Sequence, residues 1–219
     1  MKLKFLTLMV LTSLSISSQV RAENLVVNGG FEDGNQSFSS SYGFTDEKDG
    51  LYPTGKYAIG SMPEFSNPYF MHVRPNEGNN MMIVNGSATP DGIVWSQIVS
   101  NVLANTNYYF STFVASVSPS NPAQLSFSIN GVSLNPVEPF LATEDGGWKQ
   151  FHAVWNSGNS TTAELSLINK NLIGHGNDFV LDNIALATTA PVPEPETYAL
   201  MGLGLVGLLA ARRRKLQSV

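Results

Sequence analysis

The sequence predicts an all-β protein, an antiparallel β-sandwich of the jelly-roll kind, with an N-terminal signal peptide and a short C-terminal transmembrane helix. Three observations predict the sandwich. Short apolar or alternating runs recur at regular spacing between clusters of Gly, Asn, Ser and Pro. No stretch of the body shows the 3.6-residue period of an amphipathic helix. Asn-Gly pairs at Asn28-Gly29, Asn85-Gly86 and Asn130-Gly131 mark turns that need positive φ.

In chain order the expected strands are Asn24–Val27, Tyr57–Gly60, Tyr69–Val73, Asn80–Val84, Ile93–Val99, Tyr108–Val117, Gln124–Ile129, Trp148–Trp155, Ala163–Ile168 and Asp178–Leu186. The cleanest is Gln124–Ile129, where Leu125, Phe127 and Ile129 alternate with Gln124, Ser126 and Ser128, the pattern of a half-buried strand. Asp33–Pro68 is the least regular region and is expected to hold long loops. Residues 23–189, long enough to bury a full inter-sheet core, form the body, and no internal repeat divides it.

Composition narrows the function. The chain has 219 residues, 42% hydrophobic and 13% charged, with no cysteine. A disulfide scaffold, a zinc-thiolate site and a cysteine nucleophile are thereby excluded. The net charge of −5 hides a lopsided distribution. Lys2, Lys4 and Arg21 precede the body, and Arg212, Arg213, Arg214 and Lys215 follow it. Between them, five basic side chains face all 17 acidic ones, a net of −12. Such a body repels nucleic acid and anionic lipid.

The basic ends have their own logic. At residues 1–22, Lys2 and Lys4 precede the apolar run Phe5–Leu14. Val20-Arg21-Ala22 then places small residues at −3 and −1 of a cleavage after Ala22, as in a secretory signal peptide. The C-terminal segment 190–215 has three parts. A Pro-rich spacer, Pro191-Val192-Pro193-Glu194-Pro195-Glu196, is extended and accessible because proline fixes φ and removes donors. Tyr198–Ala211 follows, 14 uncharged residues. As a helix it is about 21 Å long, short against a bilayer core of about 30 Å, so it makes a marginal span. The cluster Arg212-Arg213-Arg214-Lys215 keeps that end in the cytoplasm, a membrane stop by the positive-inside rule. Gly202-Leu203-Gly204-Leu205-Val206-Gly207 matches G-x-G-x-x-G, but no acidic residue and no βαβ unit follows, so it reads as small residues in a membrane helix.

This order of parts resembles the PEP-CTERM sorting tail. The resemblance implies export in a Gram-negative bacterium that makes exopolysaccharide. It also implies recognition of Pro193, Glu194 and Pro195 by an exosortase, and removal of the tail near that motif. The body would cross an inner-membrane stage, held there by the C-terminal helix alone, and finish at the cell surface or in the extracellular matrix.

The body carries a second, looser resemblance. Asn24-Leu25-Val26-Val27-Asn28-Gly29-Gly30-Phe31-Glu32 opens it, and Asp182-Asn183-Ile184-Ala185-Leu186 closes it. Between them stand Trp95-Ser96-Gln97-Ile98-Val99, Asn105-Thr106-Asn107-Tyr108-Tyr109-Phe110 and Trp148-Lys149-Gln150-Phe151. The series resembles carbohydrate-binding modules of the family 4, 9 and 22 type, galactose-binding-like jelly rolls. The resemblance implies one structural Ca²⁺ where the first and last strands meet, with Glu32, Glu77, Asn80 and Asp182 as candidate ligands. A buried charge such as Asp182 needs a partner, and a hard cation satisfies carboxylates. The alternative is that Glu32 and Asp182 bond backbone amides.

A sugar-binding module stacks exposed aromatic rings on pyranose faces. Tyr42, Tyr52, Tyr69 and Trp95 are the candidate contacts, with core packing as the alternative for each; Trp148 and Trp155 are expected in the core. His72, His152 and His175 share no motif, and neither G-x-S-x-G nor H-E-x-x-H occurs, so no catalytic residue is assigned and the protein is expected not to be an enzyme. The leading function is an exported, non-catalytic module for extracellular polysaccharide. A structural or adhesive matrix protein is the alternative, and a glycan hydrolase the third.

Overall fold

The computed structural model describes residues 23–190; the expected signal peptide, the sorting motif, the expected membrane helix and the basic cluster lie outside the described residues. Eleven strands form two facing sheets. They are β1 (Gly43–Phe44), β2 (Lys56–Gly60), β3 (Met81–Asn85), β4 (Ile93–Val99), β5 (Asn107–Ser116), β6 (Gln124–Ile129), β7 (Val132–Ser133), β8 (Phe140–Leu141), β9 (Lys149–Asn156), β10 (Ala163–Asn169) and β11 (Phe179–Ala187). One sheet has the order β1-β2-β3-β11-β5-β9. The other has the order β4-β10-β6-β7, with β8 also paired to β6. All pairings are antiparallel except the short β1–β2 pair. The single helix among the described residues, α1 (Pro63–Ser66), has Pro63 in its first turn, where a missing N–H costs nothing.

Eight of the ten expected strands are present. Asn24–Val27 and Tyr69–Val73 are not strands. Each meets the sheet through isolated backbone bonds, Leu25 N to Leu186 O at 2.9 Å and Met71 N to Val117 O at 2.8 Å; Val27 already belongs to the turn through Gly30, and Tyr69 to the turn after α1. β1, β7, β8 and α1 are too short to leave a pattern.

Between the sheets lies a core that includes Phe31, Trp95, Tyr108, Phe110, Phe127, Phe151, Leu165, Leu181 and Leu186. Phe127 stacks on Phe151 with ring centroids 4.2 Å apart. A second cluster covers the opposite face of the six-stranded sheet. There Ala58, Met81, Ile83, Ala115 and Val180 are buried under Leu51, Phe70 and Val73, which come from the irregular segments. Leu51 is seated by its backbone. Its N–H donates to Ser66 O at 2.9 Å, and its carbonyl accepts from the side chains of Asn67 and Asn85.

Candidate functional site

Two places merit a functional reading: the junction of the chain ends, and the outer face of the six-stranded sheet. At the junction, Asn24 clamps β11. Its Nδ2 donates to Ile184 O at 3.1 Å and its Oδ1 accepts from Leu186 N at 3.0 Å. The Gly29 carbonyl accepts from Ile184 N at 2.9 Å. Gly29 admits no side chain, since a Cβ there would lie 2.0 Å from Ile184 O. This tight turn brings Gly30 and Glu32 beside Asp182.

Loop 76–80 is threaded between the two carboxylates. Asp182 Oδ2 accepts from Asn76 N at 2.9 Å and Glu77 N at 3.3 Å. Asp182 Oδ1 accepts from Asn183 N at 2.7 Å. Glu32 Oε1 accepts from Asn79 N and Asn80 N, both at 2.8 Å. Asp182 is fully buried. Burial pushes its carboxyl up to about 7, against the pull of those amides, and the nearby Glu32 charge adds to the rise. The amides of Asn80 and Asn79 hold Glu32 below the usual carboxylate range.

Of the four candidate calcium ligands, Glu32 and Asp182 therefore meet as expected, while Glu77 and Asn80 turn backbone N–H groups toward the carboxylates. Glu77 itself is exposed. This is the amide-bonded arrangement. One feature is left unsatisfied by it: Asn183 Oδ1 is buried without a partner, in the β-bulge next to Asp182. Two carboxylates with no cationic side chain bonded to them, among the described residues, are the oxygen type that a hard cation takes. Among the described residues no group of three or more His, Asp or Glu is gathered for a metal.

The aromatic candidates separate cleanly. Tyr69 is 82% exposed and Tyr52 is 52% exposed, with rings 6.1 Å apart and nearly perpendicular. They stand on the segments that cover the β2–β3 half of the outer face. Tyr42 and Trp95 are corrections, since both are buried and neither can stack on a ligand. Tyr42 turns its hydroxyl inward to accept from Ser87 N at 3.2 Å. Trp95 lies opposite Leu167 on the inner face of β4. Trp148 packs against the second cluster and donates Nε1–H to Arg74 O at 2.9 Å.

The sequence reading missed a strip beyond that cover. Tyr109, Ser111 and Phe113 on β5 pair with Val154, His152 and Gln150 on β9, and these point away from the core. Alternation along β5 was the available signal. The three histidines fall on separate elements: His72 beside Glu64, His152 on this strip, and His175 near Asp178. No nucleophile–base pair involves them among the described residues.

Comparison with known proteins fits this geometry. Residues 191–215 match the PEP-CTERM protein-sorting motif, so the chain carries that motif after its last strand. No curated protein matches the chain. Among solved structures, the CBM22-1 xylan-binding domain of Paenibacillus barcinonensis Xyn10C is similar at 16% identity and TM-score 0.50, over 78% of this chain and 97% of that one. The tandem CBM22-1–CBM22-2 domain of the same enzyme is similar at 16% identity and TM-score 0.51, over 82% of this chain and 48% of that one. A family 61 module solved with β-1,4-galactotriose is similar at 14% identity and TM-score 0.47, over 77% of this chain and all of that one. The first two likenesses establish the fold, a carbohydrate-binding-module jelly roll.

Proposed function

We propose that this protein is exported, sorted through its C-terminal motif, and engages extracellular polysaccharide without catalysing its breakdown. Residues 1–22 direct export. An exosortase cuts near Pro193-Glu194-Pro195 while Arg212, Arg213 and Arg214 hold the tail in the membrane, and the body passes to the surface or matrix of a Gram-negative cell. The observation that carries the binding reading is the Tyr52–Tyr69 pair. Two aromatic rings side by side in water, 6.1 Å apart, offer flat apolar area to a partner. Stacking on a pyranose face is the partner chemistry they fit. Pull-down of the purified body on extracellular polysaccharide tests it. Binding should fall sharply in Tyr69→Ala and Tyr52→Ala, with an unchanged melting curve. Equal retention of wild type and both variants refutes the site, and self-association without glycan retention establishes the adhesive alternative.

A single structural Ca²⁺ belongs to the same proposal. Glu32 and Asp182 would hold it. The ion would supply the positive charge that Asp182 lacks. Melting with calcium and with chelator tests it, since a ligand of the folded state raises stability; identical curves refute the ion.

A further inference from the structure

We propose that the pole of the sandwich from which the sorting tail leaves is a membrane-contacting surface, resting on the lipid headgroup layer while the tail is in place. The inference rests on the sorting reading above. The pole is defined by three turns and the end of β11. Tyr109 pairs with Ala187 and Asn107 with Asn156, so the end of β11, the start of β5 and the end of β9 lie at one level. The turns are knit together there. Val102 N donates to Thr161 O at 3.1 Å, Ser157 N to Thr106 O at 3.0 Å, and Asn130 Nδ2 to Thr162 O at 3.2 Å.

These segments, 99–107, 129–133, 156–162 and 187–190, contain no charged residue, in a body with 15 carboxylates. Two carboxylates stand at its border: Glu164, cross-strand from Ile98, and Glu23, two residues before the Leu25–Leu186 contact. The segments themselves expose aliphatic side chains, Leu103 at 64% and Val132 at 64%, and at the border Ile98, opposite Glu164, is 72% exposed. The opposite pole is the reverse. Its loops carry Asp46, Glu47, Asp49, Asp91, Glu144 and Asp145. An acidic body is repelled by an anionic leaflet, and the repulsion is least for the uncharged end. Exposed Ile, Leu and Val gain by entering the interface, and the Asn, Ser and Thr around them can bond headgroups.

The spacer enforces proximity. Seven residues separate Ala190 from Tyr198, and seven residues reach at most about 25 Å fully extended. The body is thus kept against the bilayer, uncharged pole first. The same orientation points Tyr52 and Tyr69 away from the lipid. Tyr52 O accepts from Asn85 Nδ2 at the far end of β3, and the segment carrying Tyr69 meets Val117 just beyond β5.

The cysteine-free chain suits a labelling test. Single cysteines, Asn159→Cys at the tail-bearing pole and Ser120→Cys at the other, are labelled in the full chain with an environment-sensitive dye. The chain is reconstituted in phosphatidylcholine–phosphatidylglycerol vesicles that carry a lipid-borne quencher. The Asn159→Cys label should be quenched several-fold more than the Ser120→Cys label. Adding Leu103→Asp and Val132→Asp should abolish that difference while the chain still floats with the vesicles. Equal exposure of both labels in floating chains overturns the proposal and leaves the sorting reading standing. Failure to float overturns both. Quenching of Asn159→Cys that appears only when membranes containing the processing enzyme are fused in assigns the pole to that enzyme and overturns the lipid contact.

Discussion

The outer faces of the two sheets were treated very differently by the same chain. The outer face of the five-stranded sheet is bare and polar. Ser96, Ser166, Ser128 and Ser133 lie side by side in one register row across β4, β10, β6 and β7. The outer face of the six-stranded sheet is largely roofed: Leu51, Phe70 and Val73 bury Ile83, Ala115 and Val180. The strand patterns record the difference. In β6 buried and half-buried residues alternate, whereas all five residues of β3 are buried. One-sided burial alternates; two-sided burial reads as a continuous apolar run. The roof also explains where the special chemistry sits. Asp182, Asp178 and the exposed tyrosines all belong to the roofed sheet or its cover.

The contrast can be broken most strongly at Leu51. It is fully buried yet lies in an irregular loop. Leu51→Ala should cost about 2–5 kcal/mol, as in a strand-built core, measured by denaturant unfolding. A cost near zero would mean that the roof is not an independent core.

Acid sharpens the contrast next. Burial raises Asp182, in β11 of the roofed sheet, to about 7 and Asp178, just before β11, to about 6. Between the unfolded value near 4 and these folded values the native state binds more protons. Stability should therefore fall as pH rises through that window. Metal-free protein should melt higher at pH 5 than at pH 8, and Asp182→Asn should flatten the slope. Added calcium should rescue the pH 8 form selectively, since it binds ionised Asp182. An unchanged slope in the variant would remove Asp182 as its source.

A smaller loss is expected at Gly78, in the loop between the two carboxylates. Its φ is +68°, and a Cβ there would lie 2.4 Å from Glu32 Oε1. Gly78→Ala should cost about 1–3 kcal/mol, read as a lower melting temperature. The smallest effect belongs to the bare face. Ser166→Ala should change stability by no more than about 0.5 kcal/mol, and a larger change in the same unfolding assay would show that the serine row is structural.

The bare face was legible from sequence and the roof was not. Gln124–Ile129 matches its strand residue for residue, because one-sided alternation is a local signal; Ile93–Val99 matches as well, as an apolar run rather than an alternating one. Leu51 sits in the least regular region, and Phe70 in an expected strand that does not form, so their burial depends on a non-local fit. The same limit governed the aromatics. Tyr42 and Tyr52 both lie within two residues of a glycine in the least regular region, yet one is buried against Ser87 and the other faces water. Glu32 and Asp182 were legible as a pair because the turn at Gly29 and the last strand each have a sequence signature. The reversal of Glu77 and Asn80, amides in place of oxygens, is set by backbone geometry that no residue type announces.

The position of β11 has a mechanical consequence. The tail continues from a strand held on both sides, by β3 and by β5, and clamped at its end by Asn24. Tension drawn through the tail against a load at the opposite pole runs along β11. Antiparallel hydrogen bonds lie across the strand axis, so they bear that tension together, in shear, rather than opening one at a time. The molecule is thus strongest along the line that joins its attachment to its exposed tyrosines.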